Sequence, residues 1–384
     1  MILFWQEEFI VSSPFLNGFL IVTILVISFG ASLHSVRAQE IVLSDWTSPT
    51  LSNLFSVYMV NASDGWAVGE HGTIIHWDGT QWTNVTSPTT LALFSVSMTS
   101  ADNGWAVGQN GTIIRWNGIA WQNFSSPTQL NLYSVCMLNA SDGWAVGHDG
   151  TVIHWNGTEW MNFPSNTNYT LYSVSMADAN DGWAMGYDWI HWNGTSWKED
   201  SDAVMIPNVN SVYMVNSNNA WAAGELGSIW HWNGTQWSLN ANVSGPMYVF
   251  DSVFMTSATD GWAVGWWGTL IPQNATTVTL HWDGTQWTYV GGPLLIGLNS
   301  VYMVSSNDGW AVGAQGTIIH WTGSEWVPEF STTNYALLMV AFTLTAILLK
   351  KVHLLKSQKP KVPTSKILNI FERHRTLCNS SVQI

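Results

Sequence analysis

The sequence predicts an all-β protein, a seven-bladed β-propeller with four-stranded blades, preceded by an N-terminal signal segment and followed by a C-terminal transmembrane helix. The first observation is a repeat. The words "SDGWAVGEHGTIIHWDGTQW" of residues 63–82 return with small changes, and their first tryptophan recurs at Trp66, Trp105, Trp144, Trp183, Trp221, Trp262 and Trp310, spaced 39, 39, 39, 38, 41 and 48 residues apart. A period near 40 without a 3.6-residue apolar pattern fits a four-stranded blade rather than a helical pair. The second observation is the content of one unit, where "SVYMV", "GWAVG", "TIIHW" and "QWTNV" are short β-branched and aromatic runs separated by turn residues. The third is tryptophan itself: of 27 in the chain, 21 fall on three repeat positions, the "GWA" residue, the "HW" residue and one five further on. Sheets apolar on both faces bury them by stacking around an axis, and the wedge between blades takes large flat side chains.

Residues 1–38 read as a signal segment, because "FLNGFLIVTILVISF" (15–29) is an apolar run and Val36 and Ala38 offer small residues for a cut before Gln39. The stretch before that run holds Glu7 and Glu8 but no Lys or Arg, so an uncleaved anchor or a later start codon stays open beside this reading. Residues 39–330 form the expected propeller. Its third and fourth strands are joined at Asp78-Gly79, Asn117-Gly118, Asn156-Gly157, Asn193-Gly194, Asn233-Gly234, Asp283-Gly284 and Thr322-Gly323, mostly pairs that suit two-residue hairpin turns. Trp46 sits in the phase of a fourth strand, so either this segment or the strand at Trp326 is expected to complete the blade holding Trp310 and Trp321. Residues 331–349 approach the ~20 a membrane helix needs, and Lys350 and Lys351 open a basic tail, 350–384, expected on the cytoplasmic side. The propeller would then lie outside the cell.

Charge narrows the partners. Residues 45–330 hold two cations, Arg115 and Lys198, against twenty-one Asp and Glu, a body that repels phosphate backbones and excludes nucleic acid as a partner. Cys136 and Cys378 are too few for a disulfide framework. Histidines at 76, 154, 191, 231, 281 and 320 share one strand position, with Arg115 standing in for a seventh, but neighbours that far from the axis are more than about 10 Å apart, and they read as structural rather than metal-binding. Methionines at 59, 98, 137, 176, 214, 255 and 303 read as packing, and the Asp before each "GW" reads as a turn former, with Asn103 and Asn219 in its place. No nucleophile, base and orienting acid recur together, and no cofactor motif is present, so a non-catalytic binding module is expected.

The unit "DGWAVGxxGTIIHWDGTxW", over roughly residues 45–326, resembles the repeats of the photosystem II assembly-factor propellers and, more loosely, the sialidase-type Asp-box propellers. The first resemblance implies help in assembling a membrane complex, although Arg115 and Lys198 make no basic patch of the kind those factors use. The second implies glycan chemistry, for which a trio of arginines is required and Arg115 stands alone. Past the last blade, "VPEFSTTNYALLMVAFTLTAILLKK" is similar to the archaeal PEF-CTERM sorting signal, with Pro328, Glu329 and Phe330 as its motif, and implies an exported, processed surface protein; a plain membrane anchor is the alternative.

Binding residues are sought where the repeat breaks its own template. The turns between second and third strands vary, as Glu70-His71, Gln109-Asn110, His148-Asp149, Glu225-Leu226 and Ala314-Gln315; unit four is shortened to Tyr187-Asp188-Trp189, and unit six is lengthened with Trp266 and Trp267. Tyr187, Trp189, Trp266, Trp267, Glu70, His71, His148, Asp149 and Glu225 are therefore the ligand candidates. Trp266 and Trp267, supported by Tyr187 and Trp189, are expected to form an aromatic platform for a neutral or cationic surface glycan, peptide or membrane protein. Asn61, Asn84, Asn123, Asn168, Asn242 and Asn274 stand in Asn-x-Ser/Thr sites and are glycosylation candidates if the body is exported.

Overall fold

Seven antiparallel sheets, each of four consecutive strands, make up the computed structural model, which describes residues 48–199, 208–242, 248–268, 276–291 and 297–328. In blade 1 the strands are Leu54–Asn61, Asp64–Gly69, Ile74–Trp77 and Trp82–Asn84. The first strands of successive blades lie next to one another, so they surround the axis and the fourth strands are outermost. Each blade thereby has two ends. One carries the first–second and third–fourth strand loops (the hairpin face); the other carries the second–third strand turns and the blade-to-blade links (the connector face).

The repeated tryptophans hold neighbouring blades together. Trp66 meets Trp116 and Trp121 of the next blade at 4.7 and 5.4 Å between ring centroids, the second nearly edge-on at 82°. That crossing sets the positive edge of one indole against the negative face of another. Trp310 meets Trp77 and Trp82 in the same way, at 4.6 and 5.4 Å, so the joint between blades 7 and 1 repeats the others. The "HW" indoles also tie each blade's own first hairpin: Trp77 Nε1 donates to the Ala62 carbonyl at 3.0 Å and Trp321 Nε1 to that of Ser306 at 3.1 Å.

A ring of serines, not anticipated from the sequence, closes the inner circle. The first strand is a sheet edge, and its unpaired N–H groups need acceptors. The Val96, Val135, Val174, Val212, Val253 and Val301 amides donate to the Oγ atoms of Ser56, Ser95, Ser134, Ser173, Ser211 and Ser252 in the preceding blade, and Val57 to Ser300, at 3.0–3.2 Å. The "SV" of every repeat is therefore one inter-blade hydrogen bond.

The last blade takes its outer strand, Trp326–Pro328, from its own repeat, with Trp321 opposite Trp326 and Ile319 opposite Pro328. Of the two expected sources of that strand it is the C-terminal one that fills the position. Asn299 Nδ2 donates to the Leu54 carbonyl at 2.7 Å and the Gln315 amide to Asn53 Oδ1 at 2.7 Å, completing the closure. Pro328 is thus a strand residue of the propeller.

The two-residue hairpins expected between third and fourth strands are four-residue loops. Strands end at Trp77 and resume at Trp82, and Asp78 Oδ1 accepts the amides of Thr80 (2.8 Å) and Gln81 (2.9 Å). The acidic or amide residue is an acceptor that caps the loop, and Gly79 alone takes the left-handed conformation, at φ 89°. The segments 1–38, 331–349 and 350–384, with Trp46, Asn274, Glu329 and Phe330, lie outside the described residues. Among the described residues no helix is long and apolar enough to cross a membrane.

Candidate functional site

Sevenfold repetition makes any departure from it visible, and the departures concentrate at the connector-face mouth of the channel. The residue before "SV" in each first strand, read in "LFSV", "LFSV", "LYSV", "LYSV", "VNSV", "FDSV" and "LNSV", is Phe55, Phe94, Tyr133, Tyr172, Asn210, Asp251 and Asn299. Four consecutive blades contribute an aromatic ring and three a polar group. The aromatic rings run in contact around the mouth, Phe55 to Phe94 at 5.5 Å, then Phe94 to Tyr133, Tyr133 to Tyr172 and Tyr172 to Tyr187 at 5.4 Å each. The Tyr172 phenol is pushed up by burial, then by its hydrogen bond to Tyr187 and the nearby Tyr133 and Glu225. This column escaped the sequence reading because attention went to the turns, yet it was legible as the residue before "SV" in every unit.

Five of the candidates, Glu70, His148, Tyr187, Glu225 and Trp266, share a single position, the residue after the glycine that ends the second-strand motif; Gln109 and Ala314 occupy it in the other blades. In the blades other than the sixth the main-chain N–H there reaches the residue that precedes a first strand, as Glu70 to Asn53 at 2.9 Å, Tyr187 to Thr170 at 3.0 Å and Glu225 to Asn208 at 3.0 Å, whereas Trp266 pairs with Val249 within the sheet. They form a second ring around the first. Glu70 uses its carboxylate on the Asn53 side chain at 3.0 Å, and Tyr187 is 55% exposed. His71 and Asp149 lie one residue on, at the turn tips, with φ of 57° and 53°, and His148 Nδ1 is 3.1 Å from Asp149 Oδ1.

The proposed tryptophan platform is not assembled. Trp189 is 2% exposed and packs edge-on against Trp230 and Trp237, both at 5.6 Å, so it is core between blades 4 and 5. Trp266 and Trp267 are successive residues of the extended strand Asp260–Trp267 and turn to opposite sides of it. Trp266 lies over Gly297 of blade 7 and hydrogen-bonds Asp251, whereas Trp267 pairs with Tyr248 at 6.0 Å. Only Trp266 joins the mouth.

The polar arc has its own order. Asn210 Nδ2 donates to the Phe250 carbonyl at 3.2 Å and to Asp251 Oδ1 at 3.1 Å, and Asn299 Nδ2 to the Leu54 carbonyl. Burial pushes the Asp251 carboxyl up to about 7 against the lowering effect of its bonds from Trp266 and Asn210. About 10 Å deeper, three residues along the strand, the pattern is reversed: Tyr213, Phe254, Tyr302 and Tyr58 pack at 4.6, 4.5 and 4.7 Å, while the opposite blades carry Ser97, Cys136 and Ser175. Ser97 and Ser175 accept the Met137 and Met214 amides at 3.1 and 3.0 Å, and Cys136 accepts that of Met176, so the thiol replaces a hydroxyl in an inter-blade bond and burial pushes its pKa up.

On the hairpin face the histidines and the aspartates before "GW", read separately from sequence, are partners. His76, His154, His191, His281 and His320 Nε2 lie 2.6–2.8 Å from Asp64, Asp142, Asp181, Asp260 and Asp308 Oδ1. His231 pairs with Asn219 at 3.0 Å, and Arg115 Nε donates to Asn103 Oδ1 at 3.1 Å. Each ring also lies on the blade's own "GW" indole, as His76 on Trp66 at 4.2 Å. The aspartates hold histidines rather than turns, and among the described residues no three ligating side chains converge. Two cavities open on this face, of ≈ 510 Å³ beside Phe254, Asp260 and Met303 and ≈ 300 Å³ beside Asp142, Trp144 and His154. They are walled largely by positions common to the blades, so they carry little distinguishing chemistry.

Of the glycosylation candidates, Asn84 and Asn123 donate Nδ2 to the Pro49 and Pro88 carbonyls at 2.8 and 3.3 Å. Asn61 and Asn168 are exposed, and Asn61 uses only Oδ1, for Ser63. Asn242 ends a strand, Trp237–Asn242.

Fold and mouth together define a seven-bladed, four-stranded β-propeller without sevenfold-symmetric lining. No protein-family model matches the chain, and no curated protein sequence does. Among solved structures it is similar to YCF48 bound to the D1 peptide (TM-score 0.59, 15% identity, covering 72% of this chain and 95% of that one). It is also similar to the WD40 propeller domain of Doa1 (0.59, 15%, 72% and 94%) and to YCF48 from Cyanidioschyzon merolae (0.54, 18%, 72% and 98%). At these identities the likeness is one of fold.

Proposed function

We propose that the chain is a non-catalytic interaction propeller that takes a peptide segment of a partner protein at the connector-face mouth. The observation that carries this is the aromatic arc Phe55–Phe94–Tyr133–Tyr172–Tyr187 facing the polar arc Asn210–Asp251–Asn299, an asymmetry that packing of equivalent blades does not require. An apolar side chain of the partner would lie on the rings and its backbone on the amides, as in other apolar sites with a few placed polar groups. A structural neighbour solved with a peptide supports a peptide over a sugar, and the resemblance of the repeat to the assembly-factor propellers favours a second reading, in which the partner is a subunit of a membrane complex under assembly. In the fuller form of the proposal the propeller stands outside a membrane, held by residues 331–349 with the basic tail inside; the apolar run ending at Lys350 supports it.

The test is panning a phage-displayed random dodecapeptide library on the full chain and on the triple variant Tyr133→Ser, Tyr172→Ser, Tyr187→Ser. Losing three aromatic contacts is expected to weaken the enriched peptides by at least about tenfold, with the melting temperature reporting whether the variant is folded. Equal binding by a folded triple variant, or binding to a glycan array with no peptide enriched, would contradict the reading.

A further inference from the structure

Resting on the mouth as a peptide site, we infer that its polar arc is an ammonium receptor: Asp251, flanked by Asn210 and Asn299, takes a lysine side chain or a free N-terminus of the bound peptide, while an apolar residue of that peptide lies on the aromatic arc.

The geometry supplies the acceptors. Asp251 is on blade 6, and sevenfold geometry sets it across the mouth from Phe94 and Tyr133 on blades 2 and 3. Its neighbours at the same position on blades 5 and 7 use their NH2 groups on the Phe250, Asp251 and Leu54 oxygens, which leaves the two Oδ1 atoms as acceptors beside the carboxylate. An ammonium has three donors and no acceptor, and three acceptors on adjacent blades match it. Guanidinium and carboxylate ligands fit less well, the first because its planar fork seeks a bidentate partner and the second because the arc offers it like charge.

Among the described residues the charge on Asp251 has no counter-ion. The only cations of residues 45–330 besides histidines are Arg115, bonded to Asn103 near the hairpin face of blade 2, and Lys198 on the outermost strand of blade 4. Among the described residues the ion pairs are all His–Asp pairs away from Asp251. The donors it does have, Asn210 Nδ2 and the Trp266 indole, are neutral. A half-buried carboxylate held by two neutral donors in a strongly acidic body is incompletely compensated, and a partner cation supplies what is missing. The titratable groups on the elements packed around it are Tyr248 on its own strand, Glu225 on the adjoining turn of blade 5, Tyr213 and Tyr302 deeper on the first strands of blades 5 and 7, and Asp260 at the far end of the second strand of blade 6. None is a base that would compete for the ammonium proton near neutral pH. With the Asp251 carboxyl at about 7, the receptor is ionised above that pH and neutral below it.

The experiment uses dodecapeptides enriched on the full chain, resynthesised with each lysine changed to glutamine and with or without N-terminal acetylation, and titrated against wild type and Asp251→Asn. Enriched sequences are expected to carry lysine or depend on a free amino terminus. Removing that ammonium should weaken binding to wild type by about tenfold and leave binding to Asp251→Asn unchanged, the signature of a direct pair in a double-mutant cycle. The acetylation arm separates the two sources of ammonium. For peptides that bind through a lysine, lowering the pH from 8 to 6 should weaken wild-type binding by about tenfold, as ionisation of Asp251 falls through pH 7, and leave the variant flat. The variant should melt no lower than wild type at pH 8, because an uncompensated charge has been removed. Peptides that bind at the mouth with no ammonium dependence, or an equal lysine effect on wild type and Asp251→Asn, would overturn the ammonium receptor and leave the peptide site standing. A library whose binders are indifferent to the Tyr133, Tyr172, Tyr187 triple change would overturn both.

Discussion

Trp105→Ala is expected to lower the stability of the propeller by about 3–5 kcal/mol, the range for removing a buried tryptophan or phenylalanine side chain. Trp105 is 0% exposed and lies between blades 2 and 3, against Trp155 at 4.7 Å, Trp160 at 5.5 Å and Phe124 at 4.9 Å. The substitution also strips the Arg115 guanidinium of the ring 5.2 Å beneath it, so a cation loses its favourable contact along with the lost apolar area. Flanking sheets are clamped by the serine ring, so the cavity collapses only in part. Trp267→Ala, at a side chain 45% exposed, is the control and is expected to cost no more than about 1 kcal/mol. Thermal or denaturant unfolding of the two variants measures the difference; equal losses would mean that the repeated tryptophans are not what holds the blades together.

Gly316→Ala is expected to cost about 2–4 kcal/mol through backbone strain and collision rather than through lost packing. Gly316 has φ 71°, where a side chain is strained, and an added Cβ would stand 2.0 Å from the Thr50 carbonyl oxygen. That oxygen belongs to the segment leading into blade 1, so the collision forces apart the joint at which the ring closes. Gly72, with φ 71° and a Cβ position 2.0 Å from the Thr89 oxygen, repeats the arrangement between blades 1 and 2. Gly72→Ala is therefore expected to match Gly316→Ala in melting temperature. A benign Gly316→Ala beside a damaging Gly72→Ala would show the closing joint to be looser than the one between blades 1 and 2.

Much of this architecture was legible because each blade must solve the same packing problem with the same residues. The count of seven, the four strands and the tryptophan wedges follow from a period near 40 and from where tryptophan recurs. Closure was not legible, since Trp46 and Trp326 stand in the same phase and only strand pairing distinguishes them. The hairpins were misjudged because Asp-Gly and Asn-Gly serve two kinds of turn, and it is the Asp78 side chain accepting two amides that sets the longer loop. His76 and Asp64 looked like separate columns because they are 12 residues apart in sequence, although pairing of the second and third strands puts His76 opposite Trp66 and within reach of Asp64. At the mouth, insertions and shortened turns drew attention to Trp189 and Trp267, which the fold turns inward or aside. The informative change was a substitution within a strand, from Phe and Tyr to Asn and Asp before an unchanged "SV". Such a change is easy to pass over as core variation until the first strand is known to line a channel.

The claim on which the functional reading depends is that one face of the propeller, at the mouth, meets the partner. Its most direct test is to install a photo-crosslinking amino acid at Tyr187 on the connector face and, separately, at the exposed Thr80 in a hairpin-face loop, in the full chain in its native cells, and to map the adducts by mass spectrometry. The account predicts adducts from position 187 that converge on one short segment of one partner polypeptide, and none from position 80. Adducts from position 80 alone, or the same adducts from both faces, would contradict it.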